Sequence, residues 1–300
     1  MNRLRAWADR LGAWALHTEG STRSSALIRI GLAATLWTRW GRDLMPAHNP
    51  SFPWPFWLAL SASFYLSTTL MFAGLFSRPA AVWAGLTALT LYGVGGQADP
   101  VVWVSHHTYL LAFATLLCGL TPCGSSYSLD RWRAVRRAGR RGQAPPPERG
   151  NLWGLRLIAL QVTAVYLWSA LSKLNGRFLS GPSLEYAFLS TYLTPRPVPL
   201  PGFGAVVVGL AWITVALEVA VGVGMLFPRV RRWVVLPGLG MHAAFYVLLP
   251  VRTFSVTMWI LYLAYFDADA VHEVIGRMEG EPPEGTGSHA PPDPQTRGWS

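Results

Sequence analysis

Lys173 is the only lysine in this sequence, which contains twenty-four arginines. Arginine does not deprotonate at accessible pH, whereas a desolvated lysine can lose its proton and act as a base. A lysine at the end of a membrane helix can also serve only to carry its charged head to the interface. The residue type by itself leaves both interpretations open.

The residues before Lys173 form a polar stripe. Thr163, Tyr166, Ser169 and Lys173 follow one another at spacings of three, three and four residues, which places them on one face of a helix. Such a stripe on a spanning helix faces the bundle interior or a water-filled cavity. We therefore predict that the stripe points inward and ends near the outer surface, in the segment 172–176.

Paired histidines, His106 and His107, form a second candidate site, followed closely by Tyr109. Imidazoles at this position could bind a metal, carry protons or hold a ligand. Adjacent residues on a helix diverge by about 100°, and the spacing of the sequence offers no third ligand. We expect no metal in this protein.

Three ionisable residues lie deep within apolar segments: Arg29, Glu218 and His242. Glu218 and His242 are equidistant from Val230, in a tight basic turn, so an antiparallel hairpin would place them at the same depth. A carboxylate and an imidazole there can satisfy each other, either as a structural pair or as a proton relay. Arg29 needs a partner for the same reason, and Glu218 is a candidate.

Long apolar segments must position these side chains. Of the 300 residues, 51% are hydrophobic and only 13% are charged, too few to cover a soluble domain. A bilayer crossing needs roughly 20 mostly apolar residues. We predict an all-α, polytopic membrane bundle of about eight transmembrane helices. The apolar segments are 25–40, 56–76, 80–94, 107–120, 152–171, 205–227, 233–249 and 253–266.

The distribution of arginines predicts that both ends of the chain are cytoplasmic. Most arginines fall in alternate loops, including 131–149 and 229–232, as the positive-inside rule requires. Segment 131–149 lies between two of the predicted membrane spans, so we expect contact with anionic lipid and no nucleic acid. We divide the chain into a cytoplasmic amphipathic segment (1–24), a membrane domain (25–270) and a disordered cytoplasmic tail (271–300). The sparse Cys118 and Cys123 are expected to be packing residues.

Across about 25–267 the chain resembles the membrane domain shared by vitamin K-dependent γ-carboxylase and its bacterial relatives, the HTTM (horizontally transferred transmembrane) family. The resemblance rests on five features in order. They are Ala-Leu-Ile-Arg-Ile around Arg29, Ser-His-His-Thr-Tyr-Leu at 105–110, Trp-Ser-Ala-Leu-Ser-Lys-Leu-Asn at 168–175, Glu218, and the His242 helix followed by Phe254.

The resemblance implies a cell-membrane enzyme that uses a reduced, vitamin K-type quinone with O2 and CO2 at the non-cytoplasmic face. Lys173 would be the catalytic base, and His106 and His107 would support it. Tyr109, Tyr166, Ser169 and Asn175 would bind the cofactor. The carboxylase's large lumenal domain has no counterpart in this sequence, so we expect another peptide or small-molecule substrate, or a partner protein.

A non-catalytic membrane protein is the competing interpretation, either a transporter or an accessory component of a peptide-handling system. Glu218 and His242 would then carry protons or lock the bundle. A transporter built from inverted repeats shows matching broken helices in its halves. Pro237 and Gly238 have no such counterpart. The catalytic motifs of soluble hydrolases, metalloproteases and phosphate-binding loops are also absent from the sequence.

Overall fold

A computed structural model describes residues 18–44, 53–98, 106–192, 202–249 and 251–280, together with Arg5, Gly12 and Leu16. At 95–98, 106 and 189–192 only the backbone is described. Helices dominate these ranges. They are α1 (Arg23–Trp40), α2 (Trp54–Ala73), α3 (Ser77–Ala98), α4 (His106–Cys118), α5 (Leu129–Arg140), α6 (Trp153–Lys173), α7 (Gly176–Leu179), α8 (Pro182–Tyr192), α9 (Phe203–Gly224), α10 (Pro228–Leu248), α11 (Arg252–Leu261) and α12 (Ala268–Glu279).

Each of the eight predicted apolar segments coincides with a helix, α1 to α4, α6 and α9 to α11, and the all-α fold is confirmed. Within the described ranges, three helices are long and apolar enough to cross a bilayer: α2, α6 and α9. The chain is therefore a membrane protein. The count of eight crossings stays a prediction.

The most apolar helices leave much of their surface outside the protein core. Only 33% of the apolar stretch of α9 is buried within the protein. Trp212 and Ile213 on this helix are each 55% exposed. Apolar surface of this extent is stable only against another apolar medium, so these faces are suited to lipid chains.

Helix α1 lies at the centre of one part of the bundle and packs against α2, α4 and α11. Helix α6 packs against α9 and α4, and α10 joins α9 to α11. A glycine allows one close approach: a Cβ at Gly85 of α3 would lie 2.7 Å from the backbone nitrogen of Leu116 in α4. Small residues bring membrane helices together in this way.

Several shorter elements lie outside the predicted apolar segments. Strand β1 (Glu19–Ser21), near the end of the predicted N-terminal segment, pairs antiparallel with β2 (Arg149–Asn151). The predicted disorder of the tail is wrong for residues 271–279, because α12 continues to Glu279. The Asp267 side chain caps α12 by accepting from the backbone N–H of Asp269 and Ala270. Apolar content falls in this polar helix, so hydropathy alone did not reveal it. The remainder of the tail, 281–300, lies outside the described residues.

Candidate functional site

Lys173 and Glu218 form an ion pair between the end of α6 and the middle of α9. Lys173 Nζ lies 2.8 Å from Glu218 Oε1 and 3.1 Å from Oε2. Ser169 Oγ donates to the same Oε1 at 2.9 Å and also accepts from Lys173 Nζ. The Glu218 side chain is only 4% exposed, whereas that of Lys173 is 25% exposed. The carboxylate is therefore buried, and the amine lies at the edge of open space.

That space is a cavity of about 580 Å³. Lys173, Glu218 and Ser169 lie at its polar end, and the remaining walls are mostly apolar or aromatic. The Phe178 ring lies beneath the lysine, with its centroid 5.8 Å from Nζ. The lining residues are Tyr92, His107, Ser169, Lys173, Phe178, Leu184, Thr214, Glu218, Phe245, Leu249, Val251 and Phe254. A mostly apolar cavity of this size with a few polar groups at one end suits a small organic ligand.

The polar stripe on α6 faces the bundle interior, as predicted. Tyr166 Oη contacts His242 Nε2 at 2.6 Å and the hydroxyl of Tyr262. Thr163 Oγ1 donates to Gly222 O at 3.2 Å and contacts Tyr265 Oη at 2.9 Å. Each hydroxyl of the stripe thus meets a polar partner on another helix, which removes its desolvation penalty.

The predicted direct pairing of Glu218 with His242 is wrong. Glu218 bonds to Lys173 and Ser169, whereas His242 bonds through Nε2 to Tyr166 and has no partner at Nδ1 among the described residues. Glu218 and His242 are equally far along the chain from the α9–α10 turn, and this constrains only their depth in the membrane. Partner choice also depends on the direction of each side chain around its helix, and α6 supplies a separate polar partner to each residue.

Arg29 does not use Glu218 as its partner, which corrects the second pairing expectation. Its guanidinium is fully buried and donates to Ser77 Oγ at 3.3 Å, Cys123 O at 2.9 Å and Tyr127 O at 2.6 Å. Planar guanidinium groups suit several carbonyls held at fixed angles. Arg29 therefore ties the turn after α4 to α1, and it lies outside the cavity lining.

The other predicted site residues divide into two groups. His107 and Ser169 line the cavity with Lys173, as expected for a site built around that lysine. Tyr166 is buried, and Tyr109 packs against the rings of Tyr92 and Phe113. These tyrosines and Asn175 are not among the described lining residues, and their role in cofactor binding stays a prediction. The side chain of His106 lies outside the described residues.

Asn175 has a local structural role instead. Its side chain accepts from the Phe178 backbone N–H at 3.0 Å and donates to Ser172 O at 2.7 Å. It therefore caps the start of α7 and turns the chain directly after Lys173, which places Phe178 against the ammonium.

Sequence reasoning missed most of the apolar lining. Thr214 carried a usable signal, because it lies four residues before Glu218 and thus on the same face of α9. No sequence signal identified Phe245 or Leu184, since the same apolar residue types face cavities and lipid.

Close packing of α6 against α9 depends on Gly222, and this gives a testable prediction. A Cβ at Gly222 would lie 2.8 Å from Cβ of Tyr166. We expect Gly222→Ala to separate the helices and lower stability by about 1 kcal/mol or more. Thermal unfolding in detergent measures this. Gly209→Ala on the same helix, where a Cβ meets no atom within 4 Å, is the matched control. Equal melting temperatures for both variants would contradict the prediction.

The HTTM domain model matches residues 50–269, nearly three quarters of the chain. The chain belongs to the HTTM domain family. This confirms the resemblance inferred from the sequence. The match includes α2 to α11 and every residue of the cavity lining, whereas the Arg29 segment lies before it. Neither a curated protein nor a solved structure matches the chain.

Proposed function

We propose that this HTTM protein is a γ-carboxylase-like membrane enzyme that binds a reduced, lipid-soluble quinone in the cavity and takes a proton from it. The observation that carries the proposal is the Lys173–Glu218 pair at the polar end of an otherwise apolar cavity. A quinol has matching chemistry, with a polar, acidic ring and an apolar tail. His107 lies in the lining, where an imidazole could assist the transfer.

The ion pair supplies a route to a neutral lysine. An ammonium cannot accept a proton, but Lys173 Nζ can pass its proton to Glu218 Oε1 across 2.8 Å. Transfer leaves an amine and a carboxylic acid, two neutral groups that tolerate a low-dielectric site better than two charges do. The amine then takes a proton from a hydroxyl in the cavity, which leaves Lys173 positively charged beside the new anion. The bound quinol, with O2, would supply the strong base that precedes addition of CO2 to a substrate.

Organic extraction of the purified protein, followed by mass spectrometry, tests ligand binding. We expect a quinone to co-purify with the wild-type protein and to be lost from Thr214→Trp, which adds an indole to the cavity wall. Val206→Trp adds the same group at a site on α9 that is 57% exposed, and it should retain the quinone. Absence of quinone from repeated wild-type preparations would contradict the proposal.

A non-catalytic role is the second candidate, and one observation favours it. Lys173, Ser169 and Glu218 satisfy one another without a ligand, so the group can serve simply to join α6 to α9. In that role the protein would act as a transporter or as an accessory component of a peptide-handling system. The Lys173 variants described in the Discussion distinguish this role from catalysis.

We also propose eight crossings of the cell membrane with both termini in the cytoplasm, which puts the cavity at the non-cytoplasmic face. The asymmetry of arginines between alternate loops supports this orientation. Reporter fusions measure it directly: a fusion at Gln143 should report the cytoplasm, and one at Gly202 the opposite side. A non-cytoplasmic signal from Gln143 would show that the orientation is inverted.

A further inference from the structure

Helix α5 combines a dense positive charge with an exposed apolar stripe, and the proposed function uses neither. Residues 131–141 contain six arginines and no acidic residue. On the same helix Leu129, Trp132 and Val135 follow one another at intervals of three and are 43%, 54% and 38% exposed. Exposed tryptophan and leucine beside arginine are typical of helices that lie in the plane of a membrane interface.

The fold holds α5 at the level where membrane helices end. Asp130 accepts from the backbone N–H of Phe76 at 3.0 Å and of Ser77 at 2.8 Å, at the start of α3. That start follows directly on the end of α2, which is long and apolar enough to cross a bilayer. The chain leaving α5 passes through β2 and then enters α6, a second such helix. Both connections keep α5 at one surface of the bilayer.

Besides the apolar stripe, α5 has one side that faces the protein and one side that is exposed. Asp130 and the buried Ala138 face the protein. Arg131 is also engaged there, since it lies 3.5 Å from a Glu148 carboxylate oxygen and donates to Pro146 O. Arg133, Arg137 and Arg140 are exposed, and no acidic side chain in the described ranges pairs with them. Their charge is therefore available to a ligand.

We propose that α5 lies in the headgroup region of the bilayer and binds anionic phospholipid. Leu129, Trp132 and Val135 contact the upper acyl chains. Arg133, Arg137 and Arg140, which lie together on one flank of this stripe, bind phosphate oxygens. The guanidinium of Arg136 lies 5.1 Å from the Trp132 ring centroid, which keeps a positive charge beside the aromatic group at the interface. Anionic headgroups complement the uncompensated charge, and acyl chains complement the stripe.

Nitroxide labelling of the full-length protein in nanodiscs tests the proposal. The native Cys118 and Cys123 are completely buried, so an introduced cysteine reacts selectively, and unsubstituted protein checks this. A label at Val135→Cys should collide with oxygen more than with a water-soluble nickel complex once phosphatidylglycerol is added to phosphatidylcholine. A label at Arg141→Cys, an exposed position outside the proposed lipid-binding set, should remain the more accessible to nickel.

A second set of variants tests selectivity for anionic lipid. In the Val135→Cys background, Arg133→Gln, Arg137→Gln and Arg140→Gln together should remove the response to phosphatidylglycerol. If the label at position 135 is equally accessible to nickel in both bilayers, α5 lies in water and the proposal fails. If oxygen access is high in pure phosphatidylcholine and does not change with phosphatidylglycerol, binding of anionic headgroups is overturned.

Discussion

Lys173→Arg is expected to abolish proton transfer from a quinol while the protein still inserts and folds. A guanidinium can replace the ammonium opposite Glu218, so the ion pair between α6 and α9 persists. It cannot release its proton to the carboxylate, however, and so never becomes a base. General base catalysis typically contributes about 10²–10⁴-fold, and we expect a loss of this order in quinol-dependent turnover.

The measurement is the rate of quinol consumption by purified variants in nanodiscs, with folding checked by thermal unfolding. Arg177→Gln is the matched control, because Arg177 lies four residues beyond Lys173 but outside the cavity lining. It should keep wild-type activity. Full activity in Lys173→Arg would show that this lysine supplies only charge, and the non-catalytic interpretation of the pair would then be preferred.

Separating Lys173 from Glu218 is expected to destabilise the bundle asymmetrically. Lys173→Met leaves a carboxylate whose side chain is 4% exposed, whereas Glu218→Gln leaves an amine that is 25% exposed and can reach water through the cavity. An unpaired charge costs more where it is more deeply buried. We therefore expect the larger loss of stability from Lys173→Met.

The double variant Lys173→Met with Glu218→Gln should be more stable than the sum of the two losses predicts, since it contains no unpaired charge. A coupling free energy of about 1–3 kcal/mol is expected for such a contact. The double-mutant cycle compares the wild type, the two single variants and the double variant. Thermal or denaturant unfolding of all four in one detergent measures it. Strict additivity would mean that the two side chains do not interact, and it would remove the basis of the proposed proton route.

The positions of the helices followed from local sequence pattern. Apolar segments such as 205–227 cannot lie in water, and their backbone groups are satisfied only by helix formation in a membrane. The inward direction of the α6 stripe was equally predictable, because spacings of three and four place Thr163, Tyr166, Ser169 and Lys173 on one face. The order of the motifs also indicated the family, which the match over 50–269 confirms.

The partners of the buried polar groups were decided only by the tertiary structure. Lys173 and Glu218 are 45 residues apart, and their contact depends on the packing of α6 against α9. Periodicity gives the face and depth of a side chain but not which neighbouring helix meets that face. Arg29 donates to carbonyl groups after α4, and His242 bonds to Tyr166, because helix packing brings these groups within hydrogen-bond distance.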